Sequence, residues 1–229
     1  MKSLFILTML IFASCANLAH QPDGIYQTLP KKKIVRSSNG VVSAAHPLAT
    51  NAAIKILEAG GNAMDAAVAA AFTLSVVEPS MSGIGGRAQI IIYTPTGRVH
   101  GIDATTQAPA FYEFDDTAGV EYGYQTIAVP GVVKGLTDGL SKFGSLPLAN
   151  VMHPAINYAQ NGFTLLPGEA FRQESVNEVL KEFSGTWLYY LNKDSTAKKA
   201  GDQIIQNDLA KVLKAISEKG PDVFYRGWI

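Results

Sequence analysis

Three features of the sequence predict an α+β fold. Residues 88–105 carry two β-rich runs around a turn. Two helical patterns built from small residues precede them, and from Gly131 the pattern is helical to the end. The composition agrees: 229 residues, 47% hydrophobic and 17% charged, suffice for one sizeable core or two small ones. Lys+Arg and Asp+Glu both number 19, so the charge balance argues for neither nucleic acid nor an anionic membrane surface as partner.

The N-terminus reads as a targeting segment over residues 1–15. Lys2 gives the positive start, and Leu4–Phe12 is an apolar run too short to span a bilayer as a stable helix. Ala13 and Ser14 follow, then Cys15, the single cysteine, which rules out an internal disulfide. A small pair before a cysteine resembles a bacterial lipoprotein processing site, which would leave Cys15 lipidated. The other reading is ordinary cleavage after Ala16. Under both the chain is exported, to the periplasm or to a membrane-anchored position. Residues 16–38 are polar and irregular, with Pro22, Pro30 and the basic run Lys31–Lys33, and read as a linker.

The ordered segment, residues 39–229, opens with an expected short strand at Val41–Ala45. Pro47 suits the first turn of a helix whose face carries Leu48, Ala52, Ile56 and Ala59. Gly60-Gly61 ends it. Asn62 caps a second helix, Met64–Val77, so alanine-rich that it must be buried nearly all round. Asp65, in its first turn, suits the helix dipole better than it suits catalysis. Pro79 stops this helix.

A hairpin follows, Ala88–Thr94 against Arg98–Thr105. Pro95-Thr96-Gly97 fits a three-residue loop with glycine in the left-handed position. That choice sets Thr94 opposite Arg98, Gln89 opposite Asp103 and Arg87 opposite Thr105, about 5 Å apart at Cβ and on one face; a tighter two-residue loop would shift the pairing by one. Helices are then expected at Gly131–Phe143, Leu148–Asn161, Gly168–Phe183 and Asn207–Glu218. Pro147 and Pro154 mark starts, and Gly144 and Gly162 mark stops. The apolar ending "GPDVFYRGWI" suggests that the chain continues.

From Gly40 onward the sequence resembles the gamma-glutamyltranspeptidase family. "VVSAAHPLATNAAIKILEAGGNAMDAAVAAAFTLSVVEP" is similar to its opening strand and two helices, with the Gly-Gly-Asn-Ala-x-Asp-Ala-Ala signature at Gly60–Ala67. "SGIGG" matches its glycine loop, "VPGVVKGLTDGLSKFGSLPL" the segment after its central strand, and "PAINYAQNGF" and "GPDVFYRG" later landmarks.

The resemblance implies the four-layer αββα fold of the N-terminal nucleophile hydrolases, incomplete in this chain. It implies a precursor that cuts itself into large and small subunits. The new N-terminal threonine of the small subunit attacks a γ-glutamyl amide such as glutathione and passes the acyl group to water or an amine. The partners implied are that substrate and that small subunit, and no metal or organic cofactor is needed. Thr50, Thr73 and Thr126 read as cap, core and strand residues, and none stands in the nucleophile's context. These residues therefore read as most of a large subunit, inactive alone.

The chain departs from the family twice: it ends before the point where the family's processing site and nucleophile are expected, and its substrate end is altered. Common members have further glycines where this chain has Arg87 and Ala88. They place a carboxylate-gripping arginine at the position matching Thr105, two residues after the aspartate matched by Asp103. One arginine is thus lost and another gained across the same hairpin. Arg87 then reads as a replacement anion clamp, with Thr105 and Thr106 adding hydroxyl donors, since a guanidinium fork suits a carboxylate. Two other readings stand beside it: Arg87 pairs with Asp103 and only holds the loop, or the γ-glutamyl preference is gone. The functional alternatives are a non-catalytic relative that binds an anionic ligand, and a relative acting on a different amide such as poly-γ-glutamate.

Overall fold

The computed structural model describes residues 34–113, 122–123 and 126–229. The chain divides into residues 1–36, of which 34–36 are described and exposed, and residues 37–229, which hold every element below. Cys15, the signal segment and nearly all of the linker lie outside the described residues.

Helix α1 (Pro47–Glu58) starts as its proline suggests, but its N-cap is His46 rather than a threonine. His46 Nδ1 accepts the Leu48 N–H at 3.1 Å. Thr50 sits inside the first turn. The buried face is Ala49, Ala52, Ala53 and Ile56; Ala59 falls past the helix end and is exposed. Helix α2 (Ala63–Val77) is capped by Asn62 in a full capping box with Asp65, and eleven of its fifteen residues are buried. An all-round apolar surface makes α2 the centre: α1 and α4 (Leu148–Asn161) pack on it, and α8 (Asn207–Lys219) packs on α4. Phe72, Val68, Val76, Met152, Leu213 and Ile216 fill the core. Burying each such side chain contributes about 1.5–3 kcal/mol.

Strands β1 (Ala88–Tyr93) and β2 (Val99–Ala104) pair antiparallel from Ala88↔Ala104 to Tyr93↔Val99, the register expected from the loop. Gly97 takes φ +78, and Thr94 N–H donates to Arg98 O at 2.9 Å. Ile90, Ile92, His100, Ile102 and Ala104 face inward, while Ile91, Tyr93 and Val99 stand exposed on the other side. Helix α3 (Val132–Phe143) covers the inner face. Its contact side is a glycine row. A Cβ on Gly131 would sit 2.3 Å from Ala104 O, on Gly135 2.3 Å from Ala104 Cβ, and on Gly139 2.3 Å from Met64 Cε.

Four further expectations fail. Val41–Ala45 forms no strand, because no described segment pairs with it, and a strand exists only within a ladder. Pro154 lies inside α4 rather than at a start. The lost hydrogen bond is outweighed by a buried stripe of Val151, Met152, Ala155 and Ala159. The helix expected at Gly168–Phe183 breaks into α5 (Pro167–Ser175) and α6 (Asn177–Glu182) at Val176, and α7 (Ser184–Tyr190) follows. Neither α6 nor α7 buries a residue, so packing does not enforce continuity there. Thr126 is in no strand; its hydroxyl donates to Gly123 O at 2.8 Å. The pair β3 (Phe163–Thr164) and β4 (Gln203–Ile204), which joins the two ends of the α5–α7 excursion, and the short α9 (Asp222–Tyr225) complete the chain. No helix among the described residues is long and apolar enough to cross a membrane.

Asp65 does more than cap. Its carboxylate, 0% exposed, accepts from Asn62 N–H at 2.7 Å and, eighty residues on, from Ser145 N–H at 2.9 Å, Ser145 Oγ at 2.6 Å and Leu146 N–H at 3.2 Å. It thereby fastens the α3–α4 turn to the start of α2. Burial pushes its carboxyl up, but the hydrogen bonds from Ser145, Asn62 and Leu146 outweigh this and hold it below the ordinary range. Asp65→Ala leaves several buried donors unpaired and is expected to cost about 3 kcal/mol, read as a lower urea midpoint at unchanged m-value.

His46 gives a pH dependence of known sign. Desolvation lowers its pKa below 6.5, and the nearby charge of Glu169 only partly opposes this. Its Nε2 is buried with no hydrogen-bond partner among the described residues. The unfolded chain takes up a proton near pH 6.5 where the native one does not. Stability is therefore full above that pH and falls as pH drops from about 6.5 toward the folded value. His46→Asn, which keeps an N-cap acceptor, should flatten thermal stability between pH 7.5 and 5.5. An unchanged slope would remove His46 as the cause.

Candidate active-site hairpin

The hairpin's open end is built by three close approaches. The loop Gly83–Gly86 leads into β1, and Gly86 O accepts from both Gly131 N–H and Val132 N–H at 3.2 Å each. The N-terminal amides of α3, otherwise unpaired, thus hold the loop's last carbonyl. Gly131 in turn presses on Ala104 and Thr105, and Gln107 bridges to Val129 through paired backbone bonds of 3.0 and 2.7 Å.

Arg87 lies between this loop and β1. Ala88↔Ala104 is the last ladder pair, and its two residues face inward; Arg87 and Thr105, one step further out, are both exposed. Arg87 makes no hydrogen bond or ion pair with any described residue. Asp103 is engaged otherwise. Its Oδ1 accepts the Thr105 N–H at 3.1 Å and a short bond from Thr105 Oγ1. The Thr105 hydroxyl proton is therefore committed to Asp103. Thr106 is half-buried, and its hydroxyl makes no hydrogen bond among the described residues. A cleft of about 410 Å³ opens beside β2, lined by Asp103, Thr105, Gln107, Lys134 and Asp138. Lys134 Nζ pairs with Asp138 at 2.6 Å on its rim.

The sequence reading missed a second polar cluster on the other side of the glycine loop. Glu169, on α5, is 2% exposed and reaches back to Ser80. A buried glutamate at a helix start gives no signal in sequence, because its partner is 89 residues away.

The model of the family described as gamma-glutamyltranspeptidase matches residues 49–229. The chain belongs to that family. The gamma-glutamyltranspeptidase of Helicobacter pylori superposes with a TM-score of 0.81 at 33% identity, over 85% of this chain and 58% of that one. The transpeptidase CapD of Bacillus anthracis gives 0.73 at 32%, over 83% and 62%. These likenesses set the chain in the α+β, N-terminal nucleophile hydrolase class; the described residues supply a helical layer and part of a sheet.

Two proenzymes show the breadth of the family. The glutathione hydrolase proenzyme of Bacillus subtilis strain 168 is 36% identical over 209 residues, 86% of this chain and 35% of its own length. The acylase ACY 1 proenzyme of Pseudomonas sp. strain SE83 is 36% identical over 214 residues, 86% and 38%. The chain thus spans about a third of the length of these curated relatives.

The gamma-glutamyltranspeptidase glycine loop depends here on Gly131, the one residue that lets α3 donate to Gly86 while touching Thr105. Gly131→Ala sets a methyl against Ala104 O and is expected to cost about 1–3 kcal/mol through overpacking. Chemical denaturation of the 229-residue chain measures it. An unchanged midpoint would show that α3 can shift without loss.

Proposed function

We propose that this gamma-glutamyltranspeptidase relative is the large-subunit part of an exported γ-glutamyl hydrolase or transferase that recognises its substrate's carboxylate through Arg87. The observation that carries the reading is an exposed guanidinium with no partner among the described residues, set one step beyond the ladder beside a fixed glycine loop. The alternative in which Arg87 serves the loop by pairing with Asp103 has less support, since no hydrogen bond or ion pair joins the two side chains. Thr106 has a hydroxyl to offer; Thr105 would have to release Asp103 first. Transfer of the acyl group to water or an amine would be carried out by the small subunit's threonine, with no metal or organic cofactor.

A second reading has an observation of its own. An acylase matches at the same 36% identity as a glutathione hydrolase. The acyl group could therefore be other than γ-glutamyl, with Arg87 reading a different anion. Export through residues 1–15, with lipidation at Cys15 and anchoring in a bacterial membrane, belongs to the same proposal.

In the complete processed enzyme, Arg87→Ala should raise KM for γ-glutamyl-p-nitroanilide ten- to over a hundredfold. A charge-assisted bond to a carboxylate is worth roughly 1.5–3 kcal/mol. Arg87→Gly combined with Thr105→Arg should recover much of the loss by restoring the family's arrangement on the facing strand. A KM that does not respond to Arg87→Ala ends the recognition role. Equal losses for γ-glutamyl and other acyl anilides would favour the second reading.

Labelling cells with a radioactive fatty acid tests the anchor. Label should enter the wild-type chain and be absent from Cys15→Ala. Label in both, or in neither, ends the lipidation proposal.

A further inference from the structure

Glu169, 2% exposed, is a heavily hydrogen-bonded buried charge outside the hairpin. Its Oε1 accepts from Ser80 Oγ at 2.5 Å, Ser80 N–H at 3.2 Å and Gln173 Nε2 at 3.0 Å; its Oε2 accepts from Arg172 Nη2 at 2.8 Å and Nε at 3.2 Å. The same Arg172 Nη2 reaches Glu78, 8% exposed, at 2.7 Å. Both contacts cross from α5 to the tight turn after α2, where Met81 N–H and Ser82 N–H fold back on Glu78 O at 3.1 and 2.9 Å. The glycine loop therefore has two fixed ends. Glu169 and Arg172 grip its lead-in at residues 78–82, and the α3 amides hold Gly86 at its exit.

Between those ends Gly83 and Gly85 have open space around their Cα atoms, and the half-buried Ile84 packs against the core. A loop of this composition has high conformational entropy unless its ends are held. Arg87 emerges from its exit.

We propose that Glu169, with Arg172, is a positioning clamp that sets the course of the glycine loop and hence where Arg87 points. The functional half of this rests on the reading of Arg87 given above. The clamp is electrostatic. A neutral amide at 169 keeps the shape but loses the charged acceptor for Arg172 and Ser80, and the strength of those bonds lies in the charge.

Hydrogen exchange on the 229-residue chain tests the clamp directly. In Glu169→Gln the amides of Ser80, Met81 and Ser82 should exchange at least tenfold faster. Amides of α2 and α8 should keep their protection. Ser80→Ala should weaken the same three amides, and the two changes combined should do little more than either. Unchanged protection at 80–82, or an equal loss through α2 and α8, overturns the clamp.

Kinetics of the complete processed enzyme separate it from the Arg87 reading. Glu169→Gln should raise KM more than it lowers kcat, in the same direction as Arg87→Ala. If Arg87→Ala raises KM and Glu169→Gln does not, the loop's course does not depend on the clamp and the proposal fails. If exchange rises at 80–82 while neither variant moves KM, the clamp stands and the Arg87 reading fails.

Discussion

Helix α3 can lie against the hairpin only because Gly131, Gly135 and Gly139 carry no side chains there. At positions 131 and 135 an added methyl would stand 2.3 Å from an atom of Ala104, and at 139 the same distance from Met64 Cε. The spacing of four places all three on one side of the helix. Close approach has a chemical consequence. It brings the first amides of α3 within reach of Gly86 O and so fixes where the glycine loop ends. The site geometry, the inward face of the hairpin and the seat of α3 on α2 all follow from that one stripe.

Polar ties carry the fold where the core does not reach. Asp65 gathers Asn62, Ser145 and Leu146, joining the start of α2 to the α3–α4 turn. Glu169 gathers Ser80, Arg172 and Gln173, joining α5 to the end of α2. Both acids are nearly or wholly buried, and each accepts enough hydrogen bonds to offset its desolvation. They lie at opposite ends of α2, so the central helix is held at both ends by charge and along its length by apolar contact. Burial, with the charge of Glu169 adding to it, pushes the Tyr190 phenol up to about 12.

The hairpin itself is asymmetric. One face is sealed by α3. The other presents Ile91, Tyr93 and Val99 to solvent, with Arg87 and Thr105 beyond its open end. In a four-layer αββα fold such a face belongs against a second sheet. The Arg87 end of the hairpin therefore stands at the margin between a packed half and an open half, where a long guanidinium can turn toward either.

Much of this was legible in sequence. Pro95-Thr96-Gly97 pointed to the hairpin register, because a three-residue loop suits both the proline and the left-handed glycine. The alanine density of residues 63–77 determined that α2 is central, since nothing on it prefers water. The helix boundaries at Asn62, Gly144 and Gly162 followed from capping chemistry. These are local constraints, satisfied within a few residues.

Tertiary structure alone decided the rest. Val41–Ala45 has the composition of a strand and no pairing partner among the described residues. Pro154 has the chemistry of a break, yet the buried stripe around it holds the helix. Asp65 and Glu169 look like ordinary helix-terminal acids until Ser145 and Ser80 arrive from about eighty and ninety residues away. Arg87 makes no hydrogen bond or ion pair with a described residue, although Asp103 stands near it on the same face of the hairpin. Pairing and burial are properties of the assembled chain, and no window of sequence contains them.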